Sequence, residues 1–183
     1  MDAATEKFNP LDDRPVIVLF QDEGRFGRIS DIYNCWSPKG FRPQLKKQFE
    51  RQYTYAYSAI APKSGSSFSL ILPEVNAESM TLYLNELSKF YKDYRIVMAM
   101  DQASWHGRHT VELIDNIQII HQPPYSPELN PVEHLWEHIR QNYFGNSYFE
   151  NMDCLETTLT NALKEVHSDK KTIKSLSNFY WLF

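Results

Sequence analysis

Hydrophobic runs and turn residues alternate along the first 75 residues in a pattern typical of antiparallel strands. Residues 14–21 contain an apolar, β-branched run that is too short for a buried helix, and the two glycines of DEGRFGR predict a turn after it. Three further segments have the composition of strands: 28–36, 52–62 and 67–75. Short links between these segments predict an antiparallel meander.

The next part of the chain alternates between helical and strand periodicity. NAESMTLYLNELSKFYKDY predicts a helix with Asn76 or Ser79 as its N-cap, and residues 95–100 predict a buried strand after it. A weaker helical pattern covers about 106–115, and 117–122 form another short apolar strand. Because strand–helix–strand units imply parallel pairing, we expect a mixed sheet with helices on its faces.

Two more helices are predicted in the last third of the chain. Asn130 is a suitable N-cap, Pro131 fits the first helical position, and Glu133 falls in the first turn, where the helix dipole favours an acid. The buried stripe of this helix is predicted to contain Val132, Leu135, Trp136, Ile139 and Tyr143. NMDCLETTLTNALKEVHSDKKTIKSL predicts one further amphipathic helix in a C-terminal helical part over 146–183.

Length and composition indicate one globular domain. A chain of 183 residues can bury roughly 70% of its unfolded surface, and 42% of its residues are hydrophobic. Residues 1–13 form a polar N-terminal extension of that domain. Cys35 and Cys154 lie far apart without metal-ligand spacing, and no N-terminal apolar stretch resembles a signal peptide or a membrane span. We therefore expect a reducing, cytoplasmic setting and no membrane partner.

Positive charge is concentrated in one segment, although the formal net charge of the chain is -4. Residues 39–51, KGFRPQLKKQFER, carry five cations interleaved with aromatic residues: Lys39, Arg42, Lys46, Lys47 and Arg51. Such a segment is either a solvated basic loop or a surface that contacts phosphate groups.

Two predicted buried strands are followed by aspartate. VIVLFQ precedes Asp22, and RIVMAM precedes Asp101. If these strands are parallel neighbours, both carboxylates emerge at one sheet edge, where a cation such as Mg²⁺ or Mn²⁺ would offset their repulsion. Glu133 would complete a three-carboxylate site. The structural alternative is that aspartates often end strands because they start turns.

Three segments carry a family resemblance: FQDEGRFGR, MDQASWHGRH and QPPYSPELNPVEHLWEHIR. Together they resemble the catalytic core of DDE transposases of the mariner superfamily, in its bacterial insertion-sequence branch, from about Val16 to Arg140. The resemblance implies an α/β, ribonuclease-H-like fold, with a mixed five-stranded sheet flanked by helices. It also implies that Asp22, Asp101 and Glu133 are the catalytic and metal-binding triad.

The implied activity is a metal-dependent DNA endonuclease and strand transferase, the core of a cut-and-paste transposase. The resemblance implies two Mg²⁺ ions per site, with Mn²⁺ able to substitute, and double-stranded DNA as transposon ends and target. It also implies a homodimer in the active complex and association with the nucleoid of a prokaryotic cell. Members of the family normally carry N-terminal helix-turn-helix modules, whereas the first acid of the triad is here at position 22. We therefore expect this chain to lack sequence-specific DNA recognition. It is either the second product of a split, frameshifted transposase gene, a truncated remnant, or the catalytic domain alone, and a separate DNA-binding subunit is one way in which recognition could be supplied.

Four residues near the motifs have two interpretations each. His106 and His109 either contact the scissile phosphate or orient a ligand, or they have a structural or surface role. Trp105 and Tyr125 either stack on DNA or belong to the core.

Two alternatives belong to other functional classes. His134, Glu137 and His138 match the inverted zincin pattern H-x-x-E-H, in which two histidines bind Zn²⁺. The structural interpretation is that both histidines lie on a solvated helix face and bind no metal. The second alternative is a catalytically inactive, transposase-derived module that binds DNA or protein.

Overall fold

The computed structural model describes residues 8–101, 114–124 and 126–179. Its strands are β1 (Val16–Ile29), β2 (Phe49–Ala61), β3 (Ser66–Leu72), β4 (Arg95–Met100) and β5 (Ile117–His121). Its helices are α1 (Ala77–Phe90), α2 (Pro131–Ile139), α3 (Met152–Ser168) and α4 (Lys170–Leu176). A 3₁₀ turn over Pro127–Leu129 precedes α2, and a π-helical turn over Arg140–Phe144 follows it.

The five strands form one mixed sheet in the order β3-β2-β1-β4-β5. The pairs β1–β2 and β2–β3 are antiparallel, which confirms the predicted meander, although with three strands rather than four. The pairs β1–β4 and β4–β5 are parallel, as the strand–helix–strand pattern predicts. The parallel half of the sheet therefore begins at β1, the strand that contains Asp22.

Helices cover both faces of the sheet. On one face, α1 buries residues such as Met80 and Leu84 against Leu19 and Met98. On the other face, α2, α3 and α4 pack over a second core that includes Phe20 and Trp136. The part of the sheet that contains Asp22 therefore lies between two packed layers of helices.

The predicted turn in DEGRFGR and the predicted strand over 28–36 are wrong. β1 continues through both glycines to Ile29, and residues 30–48 form neither helix nor strand. Tertiary packing explains the two glycines. A Cβ at Gly24 would lie 2.7 Å from the Trp136 ring, and one at Gly27 would collide with the Tyr53 ring. The glycines therefore allow rings to cover the strand and do not end it.

The C-terminal region contains two helices where one was predicted. α3 ends at Ser168, and Asp169 caps α4 by accepting hydrogen bonds from the backbone N–H groups of Lys171 and Thr172. The weaker helix expected over 106–115 lies almost wholly outside the described residues. Within the described ranges, no helix has both the length and the apolar character needed to span a membrane.

Candidate active site

The parallel pairing of β1 with β4 places Asp22 and Asp101 at equivalent positions along the two chain segments. The register runs from Val16 opposite Arg95 to Phe20 opposite Ala99, and each aspartate lies two residues beyond the last pair. Asp22 therefore lies in β1 just past the end of this pairing, and Asp101 lies at the corresponding position immediately after β4. Asp22 does not end its strand as predicted, because β1 goes on to pair with β2 on its other side, with Asp22 opposite Ser58.

A buried asparagine attaches the start of α2 to this edge. The Asn130 side chain accepts a hydrogen bond from the Val132 backbone N–H at 3.1 Å, which is the predicted N-cap. Its amide also donates to the backbone carbonyl of Gln21 at 2.8 Å. Glu133, in the first turn of α2, is therefore held beside the strand that carries Asp22.

Trp136 makes the second connection between α2 and β1. Its side chain is buried, and its indole N–H donates a hydrogen bond to Oδ2 of Asp22 at 2.8 Å. The ring packs directly over Gly24 and meets the edge of the Phe26 ring at a centroid distance of 5.8 Å. The indole thus fixes the orientation of the Asp22 carboxyl group from a packed position.

Asp22 lies in an unusually negative and desolvated place. Burial, together with the negative charges of Glu133 and Glu23, raises its pKa to about 8. The Trp136 hydrogen bond opposes this shift because it stabilises the charged carboxylate. An acid in such surroundings is suited to a bound cation, since the cation would offset both the burial and the repulsion.

The three acids lie along one edge of the sheet, but their carboxyl groups do not converge on a single metal position. In the parts of the chain that the structure describes, no three Asp, Glu, His or Cys side chains are close enough to hold a metal ion together. Asp101 and Glu133 are both exposed, whereas Asp22 is partly buried. Their oxygen donors and their common edge fit a divalent cation, and the metal-binding assignment of the three acids stays a prediction.

A cavity of about 460 Å³ opens beside two of these acids. Asp22 and Glu133 line it together with Trp136. Two cations, Arg25 and Arg140, also line it. The cavity thus combines carboxylate oxygens with guanidinium donors, although Glu23 and Asp31 in its lining keep it rich in negative charge.

The basic segment lies elsewhere. Its five cations, Lys39, Arg42, Lys46, Lys47 and Arg51, are all exposed, and none of them lines the cavity. Lys46 lies over the ring of Tyr148, 5.2 Å from its centroid. Their contact with DNA stays a prediction. Four further candidates lie outside the described residues: Trp105, His106, His109 and Tyr125.

The residues of the zincin pattern have other partners. His134 places its Nδ1 atom 2.9 Å from the Leu176 carbonyl and stacks on Phe179. His138 lies 3.2 Å from the Asn142 amide, and Glu137 accepts a hydrogen bond from Gln141 at 2.9 Å. These contacts support the structural interpretation, in which both histidines belong to the surface of a helix.

Three comparisons with known proteins relate this chain to DNA-processing enzymes. The profile of the family described as DDE superfamily endonuclease matches residues 17–156. An uncharacterized protein of Sinorhizobium fredii, y4pE/y4sA, is 32% identical over 130 residues, which are 70% of this chain and 96% of that protein. The Tc1 transposase of Caenorhabditis elegans is 38% identical over 63 residues, which are 34% of this chain and 20% of that protein.

A solved structure with the same fold is the crystal structure of the mariner Mos1 paired end complex with Mg. It matches with a TM-score of 0.60 at 16% identity, over 90% of this chain and 56% of that one. This chain therefore spans about half the length of the Mos1 chain. The likeness confirms the predicted ribonuclease-H-like fold.

Proposed function

The chain belongs to the DDE superfamily endonuclease family, and we propose that it forms the catalytic core of a cut-and-paste DNA transposase. In this proposal it is a metal-dependent DNA endonuclease and strand transferase. The observation that supports it most is the attachment of α2 to β1 through Asn130 and Trp136, because it keeps Glu133 beside Asp22. Asp101 immediately follows the neighbouring strand β4, and Asp22 and Asp101 each lie two residues beyond the last β1–β4 pair.

In the proposed site Asp22, Asp101 and Glu133 hold two Mg²⁺ ions, or Mn²⁺ in their place. Carboxylate oxygens are the donors that these hard cations prefer. When bound, such an ion pair activates a water or a 3′-hydroxyl group and stabilises the leaving oxygen of a phosphodiester. The raised pKa of Asp22 supports the assignment, since burial and the nearby charges of Glu133 and Glu23 make its carboxylate a group that a bound cation would stabilise.

The protein's own contribution is to position the acids before the substrate arrives. Trp136 fixes the Asp22 carboxyl group, and Asn130 fixes the helix turn that carries Glu133. Both side chains are buried, so the site is supported by packed elements rather than by loops. Preorganised ligands lose less entropy when they bind a metal ion and its substrate.

The proposed substrate is double-stranded DNA at transposon ends and at the target. The similarity to Tc1 transposase and to a Mos1 paired end complex supports this choice. The similarity to a paired end complex also supports a homodimer of this chain on paired ends. The 32% identity to the Sinorhizobium fredii protein supports a prokaryotic cell, with the protein in the cytoplasm and associated with the nucleoid. A separate DNA-binding subunit for end recognition is also part of the proposal.

The test is nicking of supercoiled plasmid DNA with Mg²⁺ or Mn²⁺. We expect the wild-type protein to nick, and we expect Asp22→Asn, Asp101→Asn and Glu133→Gln to reduce nicking to background. Glu137→Gln is the matched control, because Glu137 is exposed on α2 one turn beyond Glu133. Asp101→Asn should leave thermal unfolding unchanged, since it alters an exposed group. Undiminished nicking by the three variants would contradict the proposal, and a wild-type protein that neither nicks nor binds metal would favour the inactive module.

A further inference from the structure

Among the described residues, no strand pairs with one edge of β1 beyond Phe20. β4 pairs with β1 only as far as Phe20, while β1 continues to Ile29. Side chains from α2 and the turn after it reach this edge instead. Asn130 donates to the Gln21 carbonyl, and Arg140 donates to the Arg25 carbonyl at 3.4 Å. The cavity beside Asp22 and Glu133 extends to Arg25 and Arg140 along this edge.

Both cavity arginines are held against aromatic rings. The Arg25 guanidinium lies 4.8 Å from the centroid of the Tyr53 ring, and the Arg140 guanidinium lies 5.3 Å from that of Phe26. Stacking of this kind restricts a long side chain and keeps its charge in one place. Side chains alternate along β1, so Arg25 lies on the sheet face opposite to Phe26, and the two guanidinium groups reach the cavity from opposite sides of the β1 edge.

Neither arginine forms an ion pair with a carboxylate in the described ranges. The ion pairs found there are Arg14–Asp12, Arg28–Glu50 and Lys89–Glu86. The planar guanidinium has five N–H donors in a geometry that matches phosphate oxygens. Two such groups in one cavity, each on an aromatic ring and without a carboxylate partner, point to an anionic ligand.

Arg25 and Arg140 each lie at about the same distance along the backbone from one of the acids. Arg25 lies three residues beyond Asp22 on β1, which corresponds to about 10 Å. Arg140 lies seven residues beyond Glu133 along α2 and the following turn, which also corresponds to about 10 Å of helix rise. The rise of about 3.4 Å per nucleotide is measured along the duplex axis, and each strand winds around that axis, so neighbouring phosphates lie further apart than the rise. A distance of about 10 Å therefore corresponds to one or two nucleotides.

We propose that Arg25 and Arg140, one on each side of the β1 edge, form a clamp for a DNA phosphodiester group one or two nucleotides from the phosphate that faces the three acids. This inference rests on the proposed function and adds the path of the substrate strand, which runs along the edge of β1 beyond Phe20. The clamp also supplies the positive charge that a cavity lined by Glu23 and Asp31 needs in order to admit DNA.

The experiment measures binding of a fluorescently labelled DNA duplex by anisotropy, in EDTA and at several salt concentrations. EDTA prevents cleavage and removes any contribution from metal. Each phosphate contact contributes about -0.9 to the slope of log affinity against log salt. We expect Arg25→Gln and Arg140→Gln each to weaken binding and to reduce the magnitude of that slope by about 0.9, and the double variant to reduce it by about twice as much.

Two further variants separate the clamp from general charge and from folding. Lys63→Gln removes one exposed positive charge in the turn between β2 and β3, near the other end of β1, and should leave the slope unchanged. Arg140→Met keeps an aliphatic contact with Phe26 without the charge, so it should show the same slope loss as Arg140→Gln while keeping wild-type thermal unfolding.

The possible outcomes distinguish the clamp from the proposed function. A wild-type slope in the double variant, or an equal loss in Lys63→Gln, would overturn the clamp and leave the proposed transposase core untouched. A wild-type protein that does not bind the duplex in EDTA would overturn the clamp, and the nicking assay with Mg²⁺ or Mn²⁺ would still decide the proposed function separately. Slope losses confined to the arginine variants would establish the clamp, whatever the result of the nicking assay.

Discussion

The indole N–H of Trp136 donates a hydrogen bond to Oδ2 of Asp22 at 2.8 Å and so joins a helix to a strand 114 residues earlier in the chain. A hydrogen bond to a carboxylate favours its charged form, whereas burial and the nearby charges of Glu133 and Glu23 favour the protonated form. The contact therefore has two effects on the proposed metal ligand, since it orients the carboxyl group and limits the rise in its pKa.

Replacing Trp136 by Phe should weaken metal binding and lower stability. The substitution keeps an aromatic ring but removes the N–H donor, so the pKa of Asp22 rises further and protons compete better with Mn²⁺ at pH 7. We expect about a tenfold loss of Mn²⁺ affinity per unit of added pKa shift, and about 1–3 kcal/mol of lost unfolding free energy. Calorimetry and thermal unfolding measure the two effects.

Trp36→Phe is the matched control for that variant. Trp36 is fully exposed and lies in the segment between β1 and β2. The same chemical change there should alter neither Mn²⁺ affinity nor stability. Equal Mn²⁺ affinities in the wild type and Trp136→Phe would show that the hydrogen bond does not tune the site.

The raised pKa of Asp22 predicts how stability depends on pH in the metal-free protein. The pKa is about 8 in the folded state, whereas an aspartate in an unfolded chain has a pKa near 3.9. Between these values the native state holds a proton that the unfolded state has lost. The unfolding free energy should therefore fall as pH rises from about 4 to about 8, by at most about 1.4 kcal/mol per pH unit.

Asp22→Asn isolates this contribution from other titrating groups. The variant has no ionisable group at position 22, so its stability relative to the wild type should increase between pH 5 and pH 8. Denaturant unfolding of both proteins across this range gives the difference directly. Parallel pH profiles for the two proteins would mean that Asp22 titrates normally.

Packing also explains which parts of the fold the sequence predicted. The bounds of β4 were predicted correctly, because RIVMAM is a short apolar run buried on both faces. The start of α2 was also correct, since Asn130 and Pro131 act within one turn. The continuation of β1 through Gly24 was not predicted, because the reason for that glycine is the distant Trp136 ring.

The same distinction applies to the site. Asp22 and Glu133 were predicted from strand and helix-cap patterns that are local in sequence. Trp136 was predicted only as part of a buried stripe, and apolar periodicity does not reveal that its N–H meets an acid on another element. The break at Asp169, in contrast, carried a local signal, because aspartate is a common N-cap.

Gly24→Ala tests the close packing of Trp136 on β1. A methyl group there would lie 2.7 Å from Cδ2 of the indole, so either the ring or the strand must shift. We expect a loss of about 1–3 kcal/mol in unfolding free energy. In a Trp136→Phe background the smaller ring leaves more room, and the cost of Gly24→Ala should fall. A double-mutant cycle by denaturant unfolding measures the coupling, and strict additivity would exclude the proposed contact.

Asn130→Ala tests the attachment of α2 to the strand. It removes both the N-cap and the hydrogen bond to the Gln21 carbonyl, whereas Asn151→Ala removes only the cap of α3. The expected cost is about 1 kcal/mol for Asn151→Ala and about 2–3 kcal/mol for Asn130→Ala. Only Asn130→Ala should also reduce nicking, because it frees the turn that carries Glu133. Equal effects of the two substitutions on stability and nicking would argue against a special role for the attachment.

The most direct test of the metal-dependent carboxylate site is calorimetric titration of Mn²⁺ at pH 7 into the wild-type protein, Asp22→Asn and the control Glu137→Gln. We predict that the wild type and Glu137→Gln bind Mn²⁺ with release of a proton, which buffers of different ionisation enthalpy reveal, because binding deprotonates Asp22. Asp22→Asn should show neither binding nor proton release. Absence of Mn²⁺ binding in the wild type, or binding that persists in Asp22→Asn, would contradict the account.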